Sequence, residues 1–354
     1  MDKLILIINT GNTSTKIGIY KGEEKQFEES IKHSDEDLNG FLDINSQKNY
    51  RENLIYDFLK EKDIDIENFE AIAARGGLLK PLSSGTYLVD DAMIKDLVEA
   101  RRGSHASHLS AQIGYSIAKK TNINCYIVDP ISVDELAPVA RFSGHKLFER
   151  IMLSHALNMK AVAKRFAKEK KKDYKKLNLI VIHLGTGISI SIHSEGKMID
   201  GINSSEEGCF SPDRSGGLPI LQVIRYIDKT GVDLKKLEKT IFGNGGIFSY
   251  LNTKNFFKVE ELYNEGDAET IKVVEAMAYQ VAKETCSFAA VVNGNVDNII
   301  ITGGMAYAGF LVDLIKKRIN FIAPIEVYPG EDEIEALVEG TLRVLSGEEE
   351  PLRY

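Results

Sequence analysis

A chain of 354 residues with 43% hydrophobic and 27% charged residues has enough apolar material for two domains of ordinary size. Its net charge of −8 argues against general binding to nucleic acid or anionic membranes, and no apolar run approaches the length of a membrane span. Cys125, Cys209 and Cys286 lack C-x-x-C or metal-ligand spacing, and the short apolar N-terminus stops in a polar turn, so a cytoplasmic protein is expected.

Residues 4–20 open the chain as an apolar β-branched run, a turn of small polar residues and a second apolar strand, which predicts a β-hairpin. The turn Asn9-Thr10-Gly11-Asn12-Thr13-Ser14-Thr15-Lys16 carries hydroxyls, amides and one ammonium, the chemistry that suits a phosphate chain. A further strand is predicted over residues 26–30 and a helix over 50–62. Residues 71–74 read as a buried strand stopping at Arg75-Gly76-Gly77. A helix over 90–102 opens on acids and closes on Arg101 and Arg102, and another covers 110–120. A strand over 125–128 ends at Asp129-Pro130. Residues 148–176 read as one long helix connecting two domains, its lysine-rich end a solvated face rather than a nucleic-acid patch.

Residues 179–193 repeat the opening plan: apolar strand, Gly/Thr turn, alternating strand. A Gly/Ser/Asp-rich loop (201–217), a helix (218–229), a turn (243–246) and a long buried helix (268–292) follow. A strand over 298–302 ends in Gly303-Gly304-Met305, and a short strand (325–328) and a helix through Leu345 close the chain. The paired hairpins, one opening each half, predict duplicated halves. In this pattern the chain resembles the actin/sugar-kinase/Hsp70 ATPase superfamily. That resemblance implies an α/β fold with two duplicated actin-like ATPase (ribonuclease H-like) domains around a central nucleotide cleft, residues 1–131 plus 335–354 and residues 132–334.

The residues with chemical potential fall at predicted strand ends: Asn9, Arg75, Asp129, His183 and Gly303-Gly304. Arg214 lies in a glycine-rich loop and Arg75 precedes a Gly-Gly pair, so both suit bidentate binding of carboxylate and phosphate oxygens. Asp129 is placed to orient an arginine or a metal-bound water.

More closely, Asn9–Lys16, Val181-Ile182-His183-Leu184-Gly185-Thr186-Gly187, Arg214-Ser215-Gly216 and Thr302-Gly303-Gly304 resemble the motifs of the acetate/butyrate kinase family. Within it, Arg75-Gly76-Gly77-Leu78-Leu79-Lys80-Pro81 resembles the butyrate-using members, whereas acetate-using members carry H-G-G with their arginine three residues earlier, where this chain has Ile72. The resemblance implies ATP- and Mg²⁺-dependent phosphorylation of a short-chain carboxylate such as butyrate, by a homodimer or higher homo-oligomer with no nucleic-acid or membrane partner. An acetate or propionate kinase, or another kinase of the superfamily, is the alternative.

By the same resemblance, Arg75, Asp129, His183, Arg214 and His105 are the catalytic candidates, with His108 close to His105. Asn9, Asn12, Ser14, Lys16, Gly185, Thr186, Gly187, Gly245, Gly246, Gly303 and Gly304 are the nucleotide candidates. The metal candidates are Asp129 and Glu333, the latter favoured over Asp332. Ala74, one residue before Arg75, is expected to line the acyl pocket.

Overall fold

In a computed structural model that describes residues 4–354, the apolar opening run is strand β1 (Leu4–Thr10) and its hairpin partner is β2 (Ser14–Lys21). The chain divides into two compact units. One runs to Val133 and is completed by Asp332–Tyr354; the other is Asp134–Glu331.

In the first unit, β2 pairs antiparallel with β3 (Glu24–Lys32), whose Glu and Lys side chains blunt an exposed edge. Strand β1 lies parallel to β4 (Phe69–Ala74); β5 (Thr86–Leu88) runs antiparallel to β6 (Asn124–Val128), and β6 is parallel to β4. The order is β3-β2-β1-β4-β6-β5. Ile5 to Ile8 are fully buried because helices cover both faces of β1. Leu6 and Ile8 pack in one core with Ile55, Leu109 and Ile113 of the helices Lys48–Glu61 and His108–Thr121. On the other face, a Cβ at Gly18 would come within 3.3 Å of both Ile7 and Ile334, so a glycine there lets the helix Glu333–Leu345 settle on the sheet.

The second unit repeats the plan. Strands β7 (Leu179–Leu184), β8 (Ile188–Ser194) and β9 (Lys197–Gly201) form an antiparallel meander, and β10 (Asn298–Gly303) and β11 (Ile325–Pro329) extend it in parallel. The order β11-β10-β7-β8-β9 matches β6-β4-β1-β2-β3 strand for strand, so the repeat seen in the two hairpins extends through both sheets. Ile180, Ile182 and Leu184 face the helices Ala268–Val291 and Gly309–Ile319. Leu179 and Val181 face the helix Ala156–Glu169.

Three sequence expectations need correction. Residues 148–176 are not one helix: the α-helix is Ala156–Glu169, and a short 3₁₀ turn Tyr174–Lys176 follows. Arg150 holds the preceding stretch irregular by donating to the carbonyls of Ala140 and Gly201 and pairing with Asp200 and Glu207, and Lys171, at φ 54°, ends the helix. Nor is this helix a connector, since it lies inside the second unit. The helix predicted to reach Arg102 is Asp91–Glu99, because Ala100 adopts a left-handed conformation (φ 47°) that stops it. The helices Leu234–Ile241, Phe256–Asn264 and Gly309–Ile319 were not foreseen.

Besides His183, three histidines are buried within the units. Thr15 bonds His33, the Leu78 N–H and the Leu97 carbonyl hold His108, and Tyr174 and Ser191 hold His193. Burial pulls all three below the ordinary imidazole value, aided at His33 by Arg51 and at His193 by Lys160 and Lys164. A base whose pKa is depressed by folding takes up a proton on unfolding, so its contribution is intact above the unfolded value of 6.5 and is lost as pH falls below it. Thermal stability should therefore drop as pH falls below 6.5. A melting temperature flat from pH 7 to 5.5 would contradict this.

Candidate active site

In the first unit the ends of β1 and β4 and the first turn of the C-terminal helix meet. Asn9 Nδ2 donates to Glu333 Oε2 at 2.8 Å, and Arg75 Nη2 pairs with Glu333 Oε1 at 3.0 Å. The Glu333 carboxylate thus fixes both side chains, and Arg75 is oriented while still one-fifth exposed. Lys16 lies directly opposite Asn9 in the β1–β2 ladder and is exposed; Asn12 is exposed at the turn and Ser14 half-buried. Gly11 N–H closes the turn on the Ser14 carbonyl at 2.8 Å.

Asp129, at the end of β6, is nearly fully buried, and its φ of 37° turns the chain sharply there. Its Oδ1 accepts from Ser84 Oγ (2.6 Å) and Gly85 N–H (2.8 Å).

The structure separates the two nearby histidines. His108 accepts from Leu78 N–H through Nε2 (3.0 Å), and its Nδ1, 3.2 Å from the Leu97 carbonyl, carries the proton. Its ring closes over Gly77, where a Cβ would collide with it. It is a structural histidine that anchors the segment after Arg75. His105 is half-buried, with Nδ1 bonded to Ser107 Oγ at 2.8 Å, and it keeps the candidate role.

The expectation for Ala74 is overturned. Its side chain is fully buried in the core, and a Cβ at Gly114 of the covering helix would sit 3.5 Å from it. Alternation along β4 puts Ala74 on the same face as Ile72, toward that helix rather than toward ligand. Ala74→Val should overpack this contact and cost about 1–3 kcal/mol of stability. Denaturant unfolding would show this loss.

In the second unit the site candidates gather where β7 turns into β8. His183, last but one in β7, points to the face covered by the helix Ala156–Glu169 and donates from Nδ1 to Asn158 Oδ1 (2.9 Å), which also accepts from Thr302 Oγ1 (3.3 Å). Its Nε2 lies 3.2 Å from Glu331 Oε1 in a geometry that makes no hydrogen bond. Stacked on it is His155, with ring centroids 4.0 Å apart and planes 13° from parallel. Ser189 Oγ accepts from the His155 backbone N–H (3.3 Å) and lies 2.9 Å from His155 Nδ1, so two contacts to one hydroxyl fix the ring. His155 and Asn158 were absent from the sequence reading. Their signal was a His and an Asn three residues apart at a helix start, lost when 148–176 was read as uninterrupted helix.

Arg214 donates from Nη1 to Ser204 Oγ at 2.7 Å, and its guanidinium lies over the Phe242 ring at 4.7 Å. A Cβ at Gly187 would be 2.5 Å from Nη1, so the second glycine of the turn is bare because the arginine lies across it. At Gly185 a Cβ would meet His183 Nε2 at 2.9 Å, while Thr186 is exposed. These glycines admit protein side chains as well as any ligand. Gly246 (φ 58°) packs where a Cβ would strike the Ser211 carbonyl, and Gly245 packs on Ser215, so this pair braces the Arg214 loop rather than presenting open backbone. Gly303 likewise abuts Leu184, whereas Gly304 has open space on its Cβ side and is the one glycine of that pair that a base or ribose can approach. Burial raises Asp213 above the usual carboxylate range, beside Arg214. Among the described residues, no three His, Cys, Asp or Glu side chains cluster to hold a metal, and no helix is long and apolar enough to cross a membrane.

Two units with this repeated strand plan define the duplicated actin-like ATPase fold. The chain belongs to the acetokinase family, whose pattern matches residues 146–323. Butyrate kinase 2 of Clostridium acetobutylicum is 46% identical over 351 residues, and butyrate kinase 1 of the same organism 47%; each match covers 99% of both chains. Among solved structures, Porphyromonas gingivalis acetate kinase superposes with a TM-score of 0.79 at 15% identity, covering 97% of this chain and 100% of that one. A propionate kinase from Francisella tularensis gives 0.74 at 18%, covering 96% and 98%.

Proposed function

We infer that this chain transfers the γ-phosphoryl group of ATP to butyrate, forming butyryl phosphate reversibly. The observation that carries this reading is the 46–47% identity, end to end, to proteins named butyrate kinase. Hydroxamate trapping of acyl phosphate across C2 to C6 acids tests it. Highest kcat/KM with butyrate or a branched relative is expected, and a preference for acetate or propionate would reassign the substrate.

Butyrate is ionised at neutral pH and needs no general base; the barrier lies in bringing two anions together. Arg214 and Arg75 are assigned to the phosphoryl and carboxylate oxygens, each already oriented, by Ser204 and Glu333 respectively. The stacked rings of His155 and His183, the latter held by Asn158, are assigned to charge developing on the transferring group. Asn9, Asn12, Ser14 and Lys16 are assigned to phosphates, with Thr186 and Gly304 on the nucleotide.

The donor set fits Mg²⁺ carried on the phosphates. Asp129 and Glu333 are oxygen donors each fixed by neighbours, the ligand type a hard, largely hydrated cation takes. These two carboxylates would hold it, and it would neutralise charge on the β- and γ-phosphates.

A homodimer is proposed on a separate observation. The helices Ile220–Thr230 and Leu234–Ile241 bury none of their side chains, leaving Ile220, Leu221 and Leu234 more than 60% exposed and Ile224 half-exposed. Exposed apolar side chains grouped on adjacent helices support an interface here. Leu221→Glu with Ile224→Glu should shift the particle to half its mass by light scattering, and an unchanged mass would exclude this face. All three cysteines are free thiols, which supports a reducing, cytoplasmic setting.

A further inference from the structure

Arg51 is fully buried on the helix Lys48–Glu61, directly beneath the turn that joins β1 to β2. Its Nη1 donates to the carbonyls of Gly11 and Ser14, both at 2.9 Å, and to Thr15 Oγ1 at 3.2 Å. Its Nη2 donates to the Asn12 carbonyl (3.2 Å) and to Gln47 Oε1 (2.9 Å), and Nε also donates to Gln47 Oε1 (3.1 Å). Every one of these acceptors is neutral. The adjacent Glu52 is engaged elsewhere, with Lys48 and Lys120.

Two consequences follow. A carbonyl and the next residue's N–H belong to one planar trans peptide and point in opposite directions. Drawing the Gly11 and Asn12 carbonyls inward therefore turns the N–H groups of Asn12 and Thr13 outward, on the side where both residues are exposed. Outward N–H groups on successive residues make an anion-binding concavity. The guanidinium, always charged, also places a positive charge under that concavity, with no carboxylate bonded to it among the described residues.

We propose that Arg51 is a positioning residue for the nucleotide, holding the turn's N–H groups toward the phosphate chain and having its own charge balanced by that chain. The proposal rests on the reading that residues 9–16 bind phosphate. In the full-length protein, Arg51→Lys keeps the charge but loses the planar fork, and Arg51→Met loses both. Calorimetry with MgATP should show dissociation constants raised about tenfold for Arg51→Lys and about 30-fold or more for Arg51→Met, with the KM for butyrate within about twofold. Merely structural damage would move both substrates together, and that result, or an unchanged nucleotide affinity, overturns the proposal. If Arg51→Met does not fold, Arg51→Lys alone decides. Asn12→Asp, a near-isosteric change that adds negative charge at the turn, checks the underlying reading. If it weakens MgATP while the Arg51 variants do not, phosphate binding at the turn stands and the role of Arg51 falls. If it too has no effect, the phosphate reading falls with it.

Discussion

Arg214→Ala should lower turnover by about 10³-fold or more, the scale of arginine contacts to a transferring phosphoryl group. The side chain is well placed for this: Ser204 holds Nη1, the Phe242 ring supports the guanidinium plane, and Gly187 gives it room. Arg214→Lys should recover little, because an ammonium cannot present two parallel donors. Gly187→Ala is the informative companion. Its methyl would sit 2.5 Å from Nη1 and must push the guanidinium aside without removing it. A displacement on the order of 1 Å can cost about 10²-fold, so Gly187→Ala should lose turnover while binding nucleotide nearly as well. Wild-type turnover in Arg214→Ala, with the fold intact by circular dichroism, would remove this arginine from the chemistry.

His155→Ala should lower kcat by about 10²–10³-fold, the cost of removing one preorganised donor from a developing charge, with little change in the KM for butyrate. His155→Gln keeps a polar amide in place of the ring and should fall between alanine and wild type. Asn158→Ala acts at one remove: it frees His183, and through the stacked rings loosens His155, so its defect should be smaller. If the two rings act as a unit, the His155→Ala/His183→Ala double variant should be hardly worse than the worse single one. Additive losses would mean that the histidines work independently.

The hairpins and the five parallel-strand ends were legible because they depend on local signals: β-branched runs, small polar turns and glycine. The matching strand orders follow from repeating those signals twice along the chain. What was not legible depends on tertiary partners. Ala74 sits at the predicted strand end, but which face it occupies is decided by Gly114 on a helix forty residues away. The glycines of the second turn are nucleotide candidates by sequence, and the neighbours that need the space include His183 at the strand end and Arg214, which reaches Gly187 from a separate loop. His155 was hidden by a helix boundary misplaced by the side chain of Arg150, whose carbonyl partners no periodicity can reveal.

The ion pair between Arg75 and Glu333 also has a consequence for the order of synthesis. Asp134–Glu331 is a continuous stretch and can fold as it emerges, but the first unit waits for Asp332–Tyr354. At about 5–20 residues per second, roughly 10–40 s separate the appearance of Val133 from that of Glu333. Throughout that interval Asn9 and Arg75 lack the carboxylate that orients them, and β1 lacks the helix that covers Ile7. A nascent chain therefore exposes one apolar sheet face and an unheld arginine until the helix Glu333–Leu345 is made.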